Sequence, residues 1–201
     1  MATKKDRDRS RQVRYIEGDL IATVPEKLGV GEAETIFVPH VCNDAGVWGA
    51  GFVVPLAQKW PNTREEYIKA YQNKKIARGT DHGQDVLKMA PFKLGETQIV
   101  EAVPGRVFVC NMIAQVAPGS ERVPLKMDAL EKCMGQVAEV VLADAQDFPV
   151  ICAPLFGAGL AGGKWEEIEA LIGTYWLSVG IPVTVYYMRD RLPPGWTPPK
   201  E

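Results

Sequence analysis

The chain is predicted to be an α/β protein, a three-layer α/β/α sandwich around a central mixed sheet, and three observations point that way. Short apolar runs of strand character alternate with longer runs of helix character. Two glycine-dense loops each follow a strand-like run and lead into a helix. Length and composition agree, since 201 residues with 46% hydrophobic content fill one well-cored domain and fall short of two.

In chain order, residues 1–11 read as a basic flexible tail, and the charges from Lys4 to Arg14 form a solvated run. A folded unit over residues 12–190 follows. Strands are expected at Val13–Glu17, Thr35–His40, Asp85–Ala90, Gln98–Ala102, Arg106–Ala114, Val150–Pro154 and Val183–Met188. The run Thr35–Val38 is β-branched and aromatic, as a strand buried on both faces requires, and Val150–Ala153 is likewise apolar. Helices are expected at Gly51–Trp60, Thr63–Lys75, Pro124–Ala145 and Trp165–Ser178; in the last, Ile168, Leu171, Ile172 and Tyr175 recur on one face. The polar stretch Gly79–Gln84 reads as a loop with His82 exposed in it. The tail over residues 191–201, RLPPGWTPPKE, has too much proline to continue a helix or central strand, so it should wrap the surface with Trp196 pinning it.

The loops carry the functional signal. The first, HVCNDAGVWGAGF from His40 to Phe52, is broken by Gly46, Gly49 and Gly51, and Gly51 is expected to open the next helix. The second, PLFGAGLAGGKW from Pro154 to Trp165, holds Gly157, Gly159, Gly162 and Gly163. Amides at a turn leading into a helix point positive dipole ends outward, and glycine has no Cβ to keep anion oxygens away. Two such loops at the carboxyl ends of two strands face each other across the crevice where open α/β sheets bind ligands, and a diphosphate fits between them. Neither has the Walker A pattern, and neither places a G-x-G-x-x-G signature after a first strand, which argues against nucleoside triphosphates and simple dinucleotide cofactors. Trp48 and Phe156 stand in these loops as flat rings suited to a ribose or adenine face, with core packing as the alternative for each.

Composition narrows the field. A net charge of −2 gives no global pull toward nucleic acid or membrane, so the ligand should be small and its binding local. Cys42, Cys110, Cys133 and Cys152 form no C-x-x-C pair and sit in apolar settings, which suggests reduced buried thiols, with no metal and no cofactor expected. No apolar run approaches membrane-spanning length and the N-terminus lacks a signal-peptide core, so a cytoplasmic monomer is expected.

Three blocks occur in a telling order: Gly18-Asp19-Leu20, the loop from His40 to Phe52, and Gly159-Leu160-Ala161-Gly162 with Trp165 and Glu166. Together they frame the chain from Val13 to Met188 and resemble the macrodomains, the ADP-ribose-binding α/β family. Within it they are similar to the branch of the yeast-type ADP-ribose 1″-phosphate phosphatase and the terminal ADP-ribose hydrolases. The resemblance implies that Asp19, beside Leu20, accepts a hydrogen bond from the adenine amino group, where a helix or turn cap is the plainer reading. It implies that Asn43 holds the distal ribose, against a simple turn role. Gly49, Ala50, Gly51 and Phe52 match the first phosphate-facing loop, and Gly157, Ala158, Gly159, Leu160 and Ala161 the second. Ala158 replaces the family's usual Ser or Thr, so one side-chain contact to phosphate is missing and backbone contacts remain. Gln115 and Ala161 stand where the terminal hydrolases use a lysine and an aspartate, so that mechanism lacks its groups. His40, in the His-x-Cys-Asn context of the phosphatase branch, is the candidate general base or nucleophile, with Asp44 orienting it or protonating the leaving oxygen. The implied function is an ADP-ribose 1″-phosphate phosphatase. The alternatives are an ADP-ribosyl hydrolase acting on modified protein or nucleic acid and a non-catalytic ADP-ribose-binding module, nucleic acid entering only as a modified substrate.

Overall fold

A computed structural model of the chain describes residues 12–24, 35–73, 76–81, 84–89, 92–143 and 149–199, of which 76–81 and 84–89 are described by backbone alone. The expectations for residues 1–11 and for His82 lie outside the described residues.

Six strands form the main sheet in the order β1 (Arg14–Glu17), β8 (Val183–Tyr187), β7 (Val150–Pro154), β2 (Ile36–Asn43), β6 (Val107–Gln115) and β5 (Thr97–Val103). Every neighbouring pair is parallel except β5 against β6, so the sheet is mixed, as expected from the sequence. Its two faces bury different helices. Residues Phe37 of β2 and Cys110 and Met112 of β6 face a core closed by α3 (Met127–Ala143) and α4 (Trp165–Tyr175). Ile36 and Val38 of β2 and Val107 and Val109 of β6 face Leu56 of α1 (Val53–Lys59), while Cys42 and Ile113 meet Tyr67 of α2 (Pro61–Gln72). This is the three-layer α/β/α sandwich. Strand alternation is the physical cause: odd and even residues of one central strand feed opposite layers, so β2 is apolar almost throughout. The large rings in these layers keep their polar atoms satisfied, with Trp176 Nε1 donating to the Met134 carbonyl at 2.9 Å and Trp165 Nε1 to the Tyr15 hydroxyl at 2.8 Å.

Several element bounds differ by a few residues from the sequence reading, and three of the differences matter for the site or the topology. β2 runs three residues past His40 because Val41 and Cys42 keep pairing with Met112 and Ile113 of β6; a register shift between Cys42 and Asn43 then releases the chain into the first glycine loop. The helix after that loop begins at Val53, with Phe52 at its N-cap, while Gly51 sits in the preceding turn at φ +79°. The stretch read as a loop from Gly79 is instead the end of β3 (Ile76–Asp81), which pairs antiparallel with β4 (Gln84–Met89) as a separate two-stranded sheet. Its sequence, IARGTD, carries little strand propensity of its own, so the pairing with β4 decides it.

The proline-rich C-terminal segment folds back as expected of Trp196, which is 8% exposed and packs on Tyr15, Tyr187 and Trp165. Among the described residues no helix is long and apolar enough to cross a membrane.

Candidate functional site

All five parallel strands end at one edge of the sheet, and the segments that leave them build a continuous cleft. One cavity of about 640 Å³ is walled by Asp19 and Leu20 after β1, by Gly51 and Phe52, by Pro154 and Leu155, and by Tyr187, Met188 and Arg191 after β8. A middle cavity of about 230 Å³ lies between the glycine loops, against Ala50, Gly51 and Phe52 on one side and Gly157, Gly159, Leu160 and Ala161 on the other. A third, of about 370 Å³, is bordered by Asn43, Gly49 and Ala50, by Gln115 at the end of β6, and by Glu121 and Arg122. Gly51, Phe52, Pro154 and Leu155 are common to the first two, and Ala50, Gln115 and Leu160 to the last two, so the three are one trough with the narrow part in the middle.

The narrow part is shaped for an anion. In both loops the backbone amides of residues 49–53 and 157–161 find no acceptor among the described residues, and Gly49, Ala50, Gly51 and Gly159 are exposed. The loops are nevertheless held. Gly163 donates to the Gly157 carbonyl at 2.9 Å and Gly162 to that of Gly159 at 3.0 Å, while Trp48 Nε1 donates to the Val53 carbonyl at 3.0 Å. Leu160, 76% exposed, reaches toward the first loop, where a Cβ added to Gly51 would lie 3.4 Å from its Cδ1. Unpaired amides held in two loops that border one cavity can stabilise negative charge there without reorganising.

Asp19 borders the large cavity, and one of its oxygens, Oδ1, accepts the Ile21 amide at 2.8 Å, capping the helical turn at residues 20–24; the second carboxylate oxygen is left for a ligand. Asn43 borders the third cavity and also ties its own loop, with Oδ1 accepting from the amides of Ala45 and Val47 and Nδ2 donating to the Val47 carbonyl at 2.6 Å. One amide hydrogen of Asn43 remains for a ligand.

Burial and orientation bear on five of the residues singled out from the sequence. His40 borders the middle cavity but is only 2% exposed, its ring packed 5.7 Å from Trp48 and 5.8 Å from Phe52. It belongs to a polar row across three strands: Gln98 Nε2 donates to the Glu66 carbonyl, Asn111 Nδ2 to Gln98 Oε1 at 3.0 Å, and so Asn111 Oδ1 receives His40 Nε2–H at 2.6 Å. The remaining nitrogen, Nδ1, lies 3.7 Å from Cys42 Sγ. Burial lowers the His40 pKa to about 4 against smaller upward pulls from Asn111 and the Val41 backbone. Burial leaves this imidazole a weak base, shut off from water and bonded through Nε2 to Asn111, and its ring packs against Trp48 and Phe52. Asp44 neither bonds to His40 nor borders any of the three cavities, and its backbone joins Gln115 and Phe92 instead. Phe156, 4% exposed, is wedged 5.7 Å from Trp165 and 5.8 Å from Trp176, so its ring is a core plug. Trp48 clamps the first loop to α1 rather than facing the trough, and Ala158, 2% exposed, points into the core.

The structure also brings in residues that the motifs did not single out as ligand contacts. Tyr187, Met188 and Arg191 reach the large cavity, and Gln115, Glu121 and Arg122 the third. Arg122 lies in an irregular loop and Arg191 in a segment read as tail, where spacing carries no signal. Among the described residues no group of three or more His, Cys, Asp or Glu side chains is placed to hold a metal ion.

Comparison with known proteins agrees with this geometry. A solved macrodomain protein from Streptomyces coelicolor superposes with a TM-score of 0.64 at 30% identity, over 88% of this chain and 99% of that one. The chain belongs to the macrodomain family. The ADP-ribose 1″-phosphate phosphatase of Scheffersomyces stipitis is 26% identical to this macrodomain over 169 residues, 81% of this chain and 94% of that one. DarTG of Thermosipho africanus, solved in complex with ADP-ribose, shares the fold with a TM-score of 0.63 at 14% identity, over 92% of this chain and 44% of that one. No family model matches the macrodomain described here.

Proposed function

We propose that this macrodomain binds ADP-ribose 1″-phosphate and hydrolyses it to ADP-ribose and phosphate. The observation that carries the reading is the three-part trough. Its large cavity beside Asp19 suits adenosine, its narrow middle with two sets of unpaired amides suits a diphosphate, and its third cavity suits the distal ribose with a terminal group. The similarity to the phosphatase of Scheffersomyces stipitis supports the reaction class.

Hydrolysis forms a bond from a water oxygen to phosphorus and breaks the bond from phosphorus to the C1″ oxygen, which takes a proton to become a hydroxyl. That oxygen belongs to a hemiacetal, a better leaving group than an ordinary alkoxide, so the demand on a protein acid is small. Phosphoryl transfer of this kind is accelerated chiefly by positioning and by donors aimed at the charged oxygens. The trough meets that need by gripping the diphosphate and fixing the distal ribose, without the His40 imidazole as base.

The test is phosphate release from ADP-ribose 1″-phosphate by the full chain without added metal, alongside calorimetric titration with ADP-ribose. Turnover with ADP-ribose as a competitive product inhibitor is expected. Tight ADP-ribose binding with no phosphate release would overturn the phosphatase reading and leave a binding module or an ADP-ribosyl hydrolase.

A further inference from the structure

The third cavity differs from the other two in its charge. Among the described residues Glu121 and Arg122 are its only charged wall residues, both supplied by the segment that leaves β6. Glu121 Oε2 is paired with Lys126 Nζ at 2.6 Å, whereas Arg122 has no acidic partner among the described residues. The charge this wall has left to offer is therefore positive.

The segment carrying Arg122 is anchored on both sides of it. The Val116 amide donates to the Pro124 carbonyl at 3.0 Å, the Ser120 amide and hydroxyl both turn back to the Ala117 carbonyl, and the Leu125 amide donates to the Ala161 carbonyl at 3.2 Å. That last bond ties the segment to the second glycine loop, so the base of the Arg122 side chain is set relative to the amides of the diphosphate site. Gln115, shared by the middle and third cavities, marks the same end of the trough.

Resting on the reading above, we propose that Arg122 is the residue that selects the terminal group of the substrate, pairing with the phosphate dianion on C1″ of the distal ribose. A guanidinium offers two parallel N–H donors that match two phosphate oxygens, and it stays charged at any working pH. Unmodified ADP-ribose has a neutral hydroxyl at that position, which gives Arg122 neither a charge nor a pair of oxygens to engage, and an ester-linked or base-linked substituent is equally uncharged there.

The experiment compares calorimetric affinities of the full chain for ADP-ribose and ADP-ribose 1″-phosphate at fixed ionic strength, using wild type, Arg122→Gln and Arg122→Lys, at a temperature where turnover is slow against the titration. Wild type is expected to prefer the phosphorylated compound by about 10-fold, the scale of one charge-assisted contact at a partly open site. Arg122→Gln should erase that preference while moving the ADP-ribose affinity by less than about 2-fold, and Arg122→Lys should keep part of it, since a point charge remains but the fork is lost. An undiminished preference in Arg122→Gln, or an equal loss for both compounds, overturns the assignment while the reading of the trough stands. Failure of wild type to bind either compound overturns the reading and the assignment with it.

Discussion

Replacing His40 by glutamine separates a bracing role from a catalytic one. In the folded chain His40 titrates at about 4 against an ordinary 6.5, because burial opposes the imidazolium. Between those values the unfolded chain binds the extra proton, so the stability contribution is complete above about pH 6.5 and is lost as the pH falls toward about 4. At about 1.4 kcal/mol per pH unit the full loss is roughly 3 kcal/mol, and about 2 kcal/mol of it has occurred by pH 5. A glutamine carboxamide still donates to Asn111 Oδ1 but has no proton to take up in this range. Urea unfolding of wild type and His40→Gln at pH 7.5 and pH 5 should therefore show the wild type losing about 2 kcal/mol more than the variant, all other titrating groups being common to both. Parallel losses would refute the argument that His40 is held neutral by burial. Phosphate release should stay within about 10-fold of wild type, whereas a fall of about 100-fold or more in a variant that remains folded would return His40 to the reaction as its base.

Asp19→Ala removes the cap on the Ile21 amide and the free carboxylate oxygen in the large cavity. It should cost about 1 kcal/mol of stability in thermal unfolding, and it should weaken ADP-ribose about 10-fold while weakening ribose 5-diphosphate, which lacks the base, much less; equal losses would remove Asp19 from adenine recognition. Gly163→Ala places a Cβ 2.8 Å from the Gly157 carbonyl oxygen and 3.2 Å from Ile168 Cδ1, so the second glycine loop must shift. A loss of about 1–3 kcal/mol in unfolding is expected, with a marked drop in ADP-ribose affinity by calorimetry. Gly173→Ala in α4 meets open space and should instead gain up to about 1 kcal/mol; matching behaviour of the two variants would count against the packing argument.

Local chemistry was legible because it is written in neighbouring residues. The β-branched run before His40 and the apolar run before Pro154 announce buried strands, and glycines after each announce loops whose backbone must approach something closely. With Gly18-Asp19-Leu20 in front, that order carried the family and with it the expectation of a diphosphate between the two loops, since backbone amides need no particular side chain. β3 was missed for the opposite reason: Ile76–Asp81 has little strand character, and only its partner β4 makes it one.

What a side chain does at the end of its strand was decided by tertiary structure. His40 and Asn111 lie in register on adjacent strands, 71 positions apart in sequence, and that contact together with the cover of Trp48 and Phe52 buries a motif histidine that the sequence placed in an open loop mouth. Phe156 sits among glycines that suggest an open loop, yet its ring falls between two tryptophans from the next helix and its end. Arg122 and Arg191 carry no periodic or motif signal and reach the trough only because parallel strands deliver all their carboxyl ends to one edge of the sheet. The sequence by itself determined the fold class, the two glycine loops and the kind of ligand they admit, because spacing and residue type act locally. Burial, register and the company each side chain keeps depend on residues far away in the chain, and these were settled only when the sheet brought them together.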